Sequence, residues 1–186
     1  QGLTAVFRLI SAEIGSLHAI YAPQILEQLI ARKSGLILIT GATGSGKSTT
    51  LSAMINHINL YQKRHIITIE DPIEVIYTPK NSLIEQRELG EHTPYFHTAL
   101  KNALRADPDV IVVGELRDAD SVNLALHAAE TGHLVLSTLH THNAPKTIDR
   151  LLNFFPLESN PLIRYQLAES LISVIAQQLI TLEGEL

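Results

Sequence analysis

Short runs of consecutive apolar residues recur along the chain, and between them lie longer stretches with apolar residues every three or four positions. Such runs are typical of strands buried on both faces of a sheet, and such stretches of amphipathic helices. The pattern predicts strands over residues 3–10, 36–39, 65–70, 82–89, 109–115, 133–140 and 178–182, with 82–89 at an edge. It predicts one helix between Pro23 and Gly35, and others over residues 49–60, 94–106, 118–132, 145–154 and 161–177.

Strands and helices alternate along most of the chain, and the core strands are short and continuously apolar. This alternation is typical of α/β proteins, in which helices cover both faces of a mainly parallel sheet. We therefore predict an α/β fold with a predominantly parallel sheet. In sheets of this kind the functional groups gather at the carboxyl ends of the strands, which directs the search for chemistry to the residues that follow each strand.

Composition limits the classes of protein that fit this pattern. The 186 residues suit about one domain, and 45% hydrophobic with 18% charged residues is the balance of a globular protein. The formal net charge is −5 and the densest basic cluster is residues 62–65, which counts against a nucleic-acid motor without excluding one. No apolar run approaches the ~20 residues of a membrane span. The absence of cysteine excludes disulfides and thiolate metal sites and suits a reducing cytoplasm.

One segment carries a strong chemical signal. Between the strand at 36–39 and the next helix lies the pattern Gly41-x-x-x-x-Gly46-Lys47-Ser48. Glycines let the backbone N–H groups of such a loop wrap a phosphate chain, and the following helix directs its positive dipole end at the same anion. Lys47 can neutralise the β- and γ-phosphates and Ser48 can ligate Mg²⁺. We predict a nucleoside triphosphate site formed by Thr43, Gly44, Ser45, Gly46, Lys47, Ser48 and Thr49.

Acidic residues follow two other predicted strands. Glu115 comes after a buried strand, where hydrolytic motors keep the carboxylate that orients the attacking water. Many such motors have an aspartate immediately before this glutamate to support Mg²⁺, but here the position is Gly114. The missing carboxylate must come from elsewhere, and Glu70 or Asp71 is the obvious donor. We predict that Glu70 helps to hold Mg²⁺, directly or through a water molecule.

Histidines and arginines complete the set of candidates. His133, His140 and His142 are close in sequence, but no carboxylate or cysteine at suitable spacing completes a zinc site. His140 is instead predicted to lie near the γ-phosphate and sense which nucleotide is bound. The arginines predicted to reach a phosphate across a subunit boundary are Arg87, Arg105 and Arg117, and an ordinary surface ion pair is the alternative for each.

Taken together, four segments resemble the signature boxes of the secretion-type ATPases, which power type IV pili and type II secretion. These segments are GATGSGKST at 41–49, ITIEDPIE at 67–74, LRADPDVIVVGELRD at 104–118 and AAETGHLVLSTLHT at 128–141. The resemblance implies a P-loop NTPase with a RecA-like domain that uses ATP and Mg²⁺. It assigns Lys47 and Ser48 to the Walker A box, and Glu115 to the Walker B box as the catalytic glutamate. It also assigns Glu70, Asp71 and Glu74 to an acidic box and His133 and His140 to a histidine box.

The resemblance also implies a domain arrangement and partners. Residues 1–10 would be the last strand of a truncated N-terminal PAS-like domain, 11–22 a linker, and 23–186 a RecA-like ATPase domain truncated at its C-terminal end. Family members are hexameric rings, so the resemblance implies a homo-hexamer in the full-length protein, contact with an inner-membrane pilus platform protein and no direct contact with nucleic acid. It implies a cytoplasmic location at the inner face of that membrane.

Within the family, residues 146–180 are most similar to the twitching-motility retraction ATPases, the PilT/PilU type. The function implied is that of an ATP-hydrolysing motor subunit that drives pilus retraction. Three alternatives stay open. They are a pilus extension or type II secretion ATPase, a DNA-translocating motor of the same fold, and a nucleotide-gated scaffold that does not hydrolyse ATP.

Overall fold

The computed structural model describes residue 5 and residues 14–180. The predicted N-terminal strand at 3–10 falls outside these residues except for Ala5, and residues 181–186 also lie outside them. In this part of the chain no helix is long and apolar enough to cross a membrane.

The described residues form six strands and six α-helices, in an order close to the predicted one. The strands are Gly35–Thr40 (β1), His65–Glu70 (β2), Leu83–Glu88 (β3), Val110–Val113 (β4), Leu134–Leu139 (β5) and Leu171–Ala176 (β6). The helices are Ile25–Ile30 (α1), Lys47–Tyr61 (α2), Phe96–Ala103 (α3), Ala119–Glu130 (α4), Ala144–Leu152 (α5) and Asn160–Ser170 (α6). Two short 3₁₀ turns cover Leu104–Ala106 and Leu157–Ser159.

The six strands form one sheet in the order β3-β2-β4-β5-β1-β6, and every neighbouring pair is parallel. The predicted α/β class and parallel sheet are therefore confirmed, with β3 at one edge as expected. Because all strands point the same way, the residues that follow β1, β2, β4 and β5 emerge at one edge of the sheet, from four adjacent strands.

Successive side chains of a strand point to opposite faces, so each strand contributes to two cores. Leu36 and Leu38 of β1 lie in the core that includes side chains of α3, α4, α5 and α6. Ile37 and Ile39 lie in the core that includes α1 and α2. All four β1 side chains have no exposed surface, which explains why the strand is continuously apolar. The prediction that helices cover both faces is confirmed.

The C-terminal end of the described chain differs from the prediction. The helix predicted over 161–177 ends at Ser170, and Leu171–Ala176 form β6 parallel to β1. Residues 178–180 of the predicted strand at 178–182 have no regular structure, and 181–182 lie outside the described residues. The segment contains the β-branched residues Ile172, Val174 and Ile175, which favour a strand. Leu171 and Val174 pack on one core and Ile172 and Ile175 on the other. This spacing of three departs from simple alternation because the register with β1 shifts after Leu171, where β6 has one extra residue.

Two details near the start of the described chain also differ from simple expectation. Leu17 belongs to the segment predicted as a linker, yet it is only 3% exposed and packs in the core beside α1 and α2. Ile25 is apolar like Leu26 and Ile30 of the same helix, but it is 51% exposed. Since α1 has only six residues, it buries a narrow stripe centred on Leu26 and Ile30.

Candidate functional site

The loop between β1 and α2 has the backbone geometry that its glycines predict. Gly46, which precedes the first residue of α2, has φ +86°, and Gly41 has φ +153°. A Cβ at Gly41 would lie 2.5 Å from the Ser45 hydroxyl oxygen and would also collide with the carbonyl oxygen of Gln177. Only glycine therefore fits at this point of the loop.

Lys47 folds back onto this loop. Its Nζ donates hydrogen bonds to the carbonyl oxygens of Gly41 at 3.0 Å and Ala42 at 2.8 Å, and the residue is 8% exposed. Burial lowers the pKa of the Lys47 ammonium, while the Glu115 carboxylate acts in the opposite direction. The two carbonyl oxygens compensate only partly for the water that the ammonium loses on burial. An anionic oxygen at this position would therefore be a stronger acceptor for the ammonium.

A cavity of about 470 Å³ lies at the carboxyl ends of the central strands. Most of the candidate residues identified from sequence line it, although they come from distant parts of the chain. They are Thr43, Gly44, Lys47, Ser48, Glu70, Glu115, Arg117 and His140. Because four separate strand ends contribute to one cavity, the convergence predicted from the parallel sheet is present.

Four other candidates do not line the cavity. Ser45 is buried with its hydroxyl near Gly41, and Gly46 caps the start of α2. Thr49 is exposed in the first turn of α2, and its carbonyl oxygen accepts a hydrogen bond from the Ser52 hydroxyl. Arg105 is exposed in a 3₁₀ turn and forms no ion pair with any residue that the structure describes. The roles predicted for these four residues stay predictions.

Charged groups form a continuous row across the cavity. The imidazole of His140 lies between Lys47 and Glu115, with Nδ1 3.4 Å from Lys47 Nζ and Nε2 3.4 Å from Glu115 Oε1. Arg117 donates from Nε to Glu115 Oε2 at 2.8 Å and from Nη1 to Asp71 Oδ2 at 2.9 Å. These carboxylates raise the pKa of the Arg117 guanidinium. Arg117 is thus bound within its own chain's cavity.

Glu70 occupies a more enclosed position at the end of β2. Its Oε1 accepts hydrogen bonds from the Thr68 hydroxyl at 2.6 Å and from Gln86 Nε2 at 3.1 Å. Burial raises the pKa of the Glu70 carboxyl, and these donors, together with the backbone N–H of Glu74, oppose that rise. With Oε1 accepting two side-chain donors, the orientation of the Glu70 carboxylate is fixed.

Thr68 and Gln86 were not predicted to belong to the site. Thr68 lies two residues before Glu70 and so points to the same face of β2, and Gln86 is its register partner on β3. Gln86 also donates to the carbonyl oxygen of Val75 at 2.7 Å and accepts from the backbone N–H of Tyr77 at 3.0 Å. Residue alternation alone could have identified Thr68, whereas Gln86 required knowledge of which strand pairs with β2.

The backbone before Glu115 is held by two hydroxyl groups of β5. Ser137 donates to the carbonyl oxygen of Val113 at 2.7 Å, and Thr138 donates to that of Gly114 at 2.6 Å. The backbone N–H of Gly114 donates to the carbonyl oxygen of Ile69 at 2.9 Å. Because Gly114 is fixed from both neighbouring strands, the position of Glu115 is set by the sheet itself.

The remaining polar candidates lie elsewhere. His133 Nδ1 is 3.0 Å from the carbonyl oxygen of Ala128, a structural contact at the end of α4. Arg87 forms an ion pair with Glu85 on β3 at 3.0 Å. Among the described residues, no three histidine, aspartate or glutamate side chains lie close enough together to hold a metal ion.

Comparison with known proteins identifies the family. The model of the type II/IV secretion system protein family matches residues 7–184, nearly the whole chain. The chain belongs to this family. A relative named twitching motility protein, from Neisseria gonorrhoeae, is 54% identical over 180 residues, which is 97% of this chain and 48% of the relative. The type IV pilus retraction ATPase PilT of Pseudomonas aeruginosa is 49% identical over 180 residues, covering 97% of this chain and 52% of PilT.

A solved structure of the family supports the fold. The crystal structure described as the pilus retraction motor PilT with bound ADP superposes with a TM-score of 0.87 at 51% identity. The match covers 90% of this chain and 49% of that one. The chain therefore spans about half the length of the family members it matches, and it has their P-loop type of α/β fold.

Proposed function

We propose that this protein binds and hydrolyses ATP as a motor subunit of a type IV pilus machine and that it drives pilus retraction. The observation that carries the proposal is the convergence of Lys47, His140, Glu115 and Glu70 on one cavity, from the ends of four adjacent strands. The likeness to twitching-motility and retraction proteins over nearly the whole chain supports the pilus role.

The donor set of the cavity suits a triphosphate with Mg²⁺. Gly44 borders the cavity and has open space around its α-carbon, so the loop backbone can approach phosphate oxygens there. Ser48 offers a hydroxyl and Glu70 a carboxylate, and oxygen donors of these kinds are the ligands that Mg²⁺ prefers. Bound there, Mg²⁺ neutralises charge on the phosphates.

The side chains of this chain have distinct roles in the proposed reaction. Lys47 exchanges its two loop carbonyls for phosphate oxygens. Glu115 accepts a hydrogen bond from the attacking water and aligns it, which requires that its carboxylate be shared with, or released by, Arg117. His140 contacts both Lys47 and Glu115, so it is placed to transmit the presence of the γ-phosphate from one to the other.

Three arginines were predicted as candidates to act across subunits, and their surroundings support different roles. Arg87 forms an ion pair with Glu85 on β3. Arg117 is bound to Glu115 and Asp71 in its own cavity. Arg105 is exposed and is the better candidate to reach the phosphates of a neighbouring subunit in a hexameric ring. We propose such a ring for the full-length protein, working in the cytoplasm on an inner-membrane platform protein of the pilus machine, without direct contact with nucleic acid.

The pilus role can be tested in living cells. The full-length form of this protein is expected to restore twitching to a P. aeruginosa strain that lacks its PilT retraction ATPase. The purified full-length protein is expected to hydrolyse ATP. Restoration of pilus assembly in an extension-deficient strain, without twitching in the retraction-deficient one, would assign extension instead. Turnover that depends on DNA and falls steeply with salt would indicate a DNA-translocating motor. Binding of ATP without turnover would indicate a scaffold.

The proposed metal role of Glu70 gives a separate prediction. Gln86→Glu keeps the size of the side chain but replaces the Nε2 donor with an anionic oxygen about where it lay, 3.1 Å from Glu70 Oε1. Since changes to outer partners of metal ligands typically cost ~10–100-fold in metal affinity, the Mg²⁺ concentration for half-maximal binding of ATP should rise by about tenfold. Titration of Mg²⁺ at fixed ATP, followed by fluorescent-nucleotide binding and by turnover, measures this shift.

Gln62→Glu is the control for this change because it introduces the same charge at a position outside the cavity lining. An unchanged Mg²⁺ requirement in Gln86→Glu, with the fold intact by circular dichroism, would contradict the role of Glu70 in holding the metal.

A further inference from the structure

Gln177 lies against the phosphate-binding loop, although it comes from the far end of the described chain and does not line the cavity. It follows β6 directly, and its backbone N–H donates to the carbonyl oxygen of Thr40 at 2.7 Å. Thr40 is the last residue of β1, immediately before the loop. The end of β6 is therefore fastened to the point where the loop begins.

The side chain of Gln177 reaches the other end of the same loop. Its Oε1 accepts a hydrogen bond from the Thr50 hydroxyl at 2.9 Å, and Thr50 lies in the first turn of α2 with 5% exposure. The backbone N–H of Thr50 in turn donates to the carbonyl oxygen of Gly46 at 2.9 Å. Gln177 thus contacts the residues that flank the loop on both sides.

Gln177 also explains why two loop positions exclude side chains. A Cβ at Gly46 would lie 2.8 Å from Gln177 Nε2, and a Cβ at Gly41 would collide with the Gln177 carbonyl oxygen. Both glycines have positive φ, so each also has a backbone conformation that other residues rarely adopt. Gln177 therefore packs directly against the loop in the conformation that these two glycines allow.

We propose that Gln177 is a positioning residue for the nucleotide site. It acts through the loop, by holding the segment from Thr40 to Thr50 in the conformation in which the backbone N–H groups face the phosphates. The proposal rests on the proposed function only in that the loop binds nucleotide. The proposal also implies that the chain after β6 is coupled to the loop, so that a displacement of one displaces the other.

The chain provides a matched control for this proposal. Gln178 is the next residue, is exposed, and makes no hydrogen bond to any residue that the structure describes. In full-length protein, Gln177→Ala is expected to raise the Kd for ADP and ATP by about tenfold, because it leaves the buried Thr50 hydroxyl unpaired and releases the loop. Gln178→Ala should leave both values unchanged. Turnover at saturating ATP should change by less than about twofold in Gln177→Ala, because no reacting group is removed.

A second variant separates positioning from simple loss of stability. Thr50→Val removes the hydroxyl that donates to Gln177 while keeping the volume of the side chain, and its effect on Kd should overlap with that of Gln177→Ala in a double-mutant cycle. Hydrogen exchange of residues 41–47 should be faster in both variants. A lower melting temperature with an unchanged Kd in either variant would overturn the proposal in favour of a purely structural role. Failure of the wild-type protein to bind nucleotide would contradict the proposed function and this inference together, whereas wild-type Kd values in Gln177→Ala would contradict this inference alone.

Discussion

Lys47→Ala is expected to reduce ATP hydrolysis below detection and to weaken ATP binding by at least about 100-fold. The ammonium is the cation that the phosphate loop contributes to the cavity, and it is 8% exposed, so its attraction for a phosphate is less screened than at a surface. Loss of one charge-assisted hydrogen bond costs about 1.5–3 kcal/mol, or roughly 10–100-fold in affinity, and Lys47 can make more than one. Equilibrium titration with a fluorescent ATP analogue, together with phosphate release, measures both effects.

Two further variants show whether charge alone accounts for the result. Lys63→Ala removes an exposed lysine just after α2 and should leave binding and turnover unchanged. Lys47→Arg keeps the charge, but the guanidinium is a larger, rigid planar fork and does not place a compact charge at the position of the ammonium, so turnover should stay low. Strong ATP binding by Lys47→Ala would mean that the triphosphate does not lie at this loop.

Glu115→Gln is expected to bind ATP with nearly the wild-type Kd while turnover falls by about 10²–10³-fold. The amide keeps the size of the side chain and one acceptor oxygen, but it loses the charge that aligns the attacking water. The loss is specific to the reaction step, so it should appear in kcat and not in the Kd. Single-turnover hydrolysis, with protein in excess over ATP, separates the chemical step from product release.

The same substitution removes the ion pair between Glu115 and Arg117, so a control for surface charge is needed. Glu158→Gln changes an exposed glutamate in a 3₁₀ turn outside the cavity lining and should hydrolyse ATP at the wild-type rate. If Glu115→Gln hydrolyses ATP within about twofold of wild type, another group orients the water.

Local patterns were sufficient to predict the phosphate loop and the central strands. The glycine positions of the loop, the buried runs of β1, β2, β4 and β5, and the polar residues after them are all features of neighbouring residues in the chain. The parallel arrangement followed from alternation with helices, and it correctly brought Lys47, Glu70, Glu115 and His140 to one cavity. These features are local in sequence, which is why sequence alone contained them.

The features that were missed depend on pairing between distant segments. Leu171–Ala176 continue the apolar spacing of the preceding helix, and their β-branched residues became decisive only together with pairing to the edge of β1. The hydrogen bonds of Gln86 to Glu70, and of Thr50 to Gln177, likewise depend on which segments become neighbours in the sheet. The position of Arg117 within its own cavity could not be predicted, because a sequence does not distinguish an arginine that binds its own chain from one that reaches the next.

The order of strands across the sheet has a consequence for how members of the family can diverge. Parallel neighbours are ~4.8 Å apart, so β1, β5, β4 and β2 set a distance of about 14 Å between the first and last groups of the row. Changes at the amino ends of these strands leave that spacing intact, so insertions can accumulate there freely. An insertion within any one of the four strands would displace its terminal group relative to the other three, and only compensating changes in its neighbours could restore the alignment.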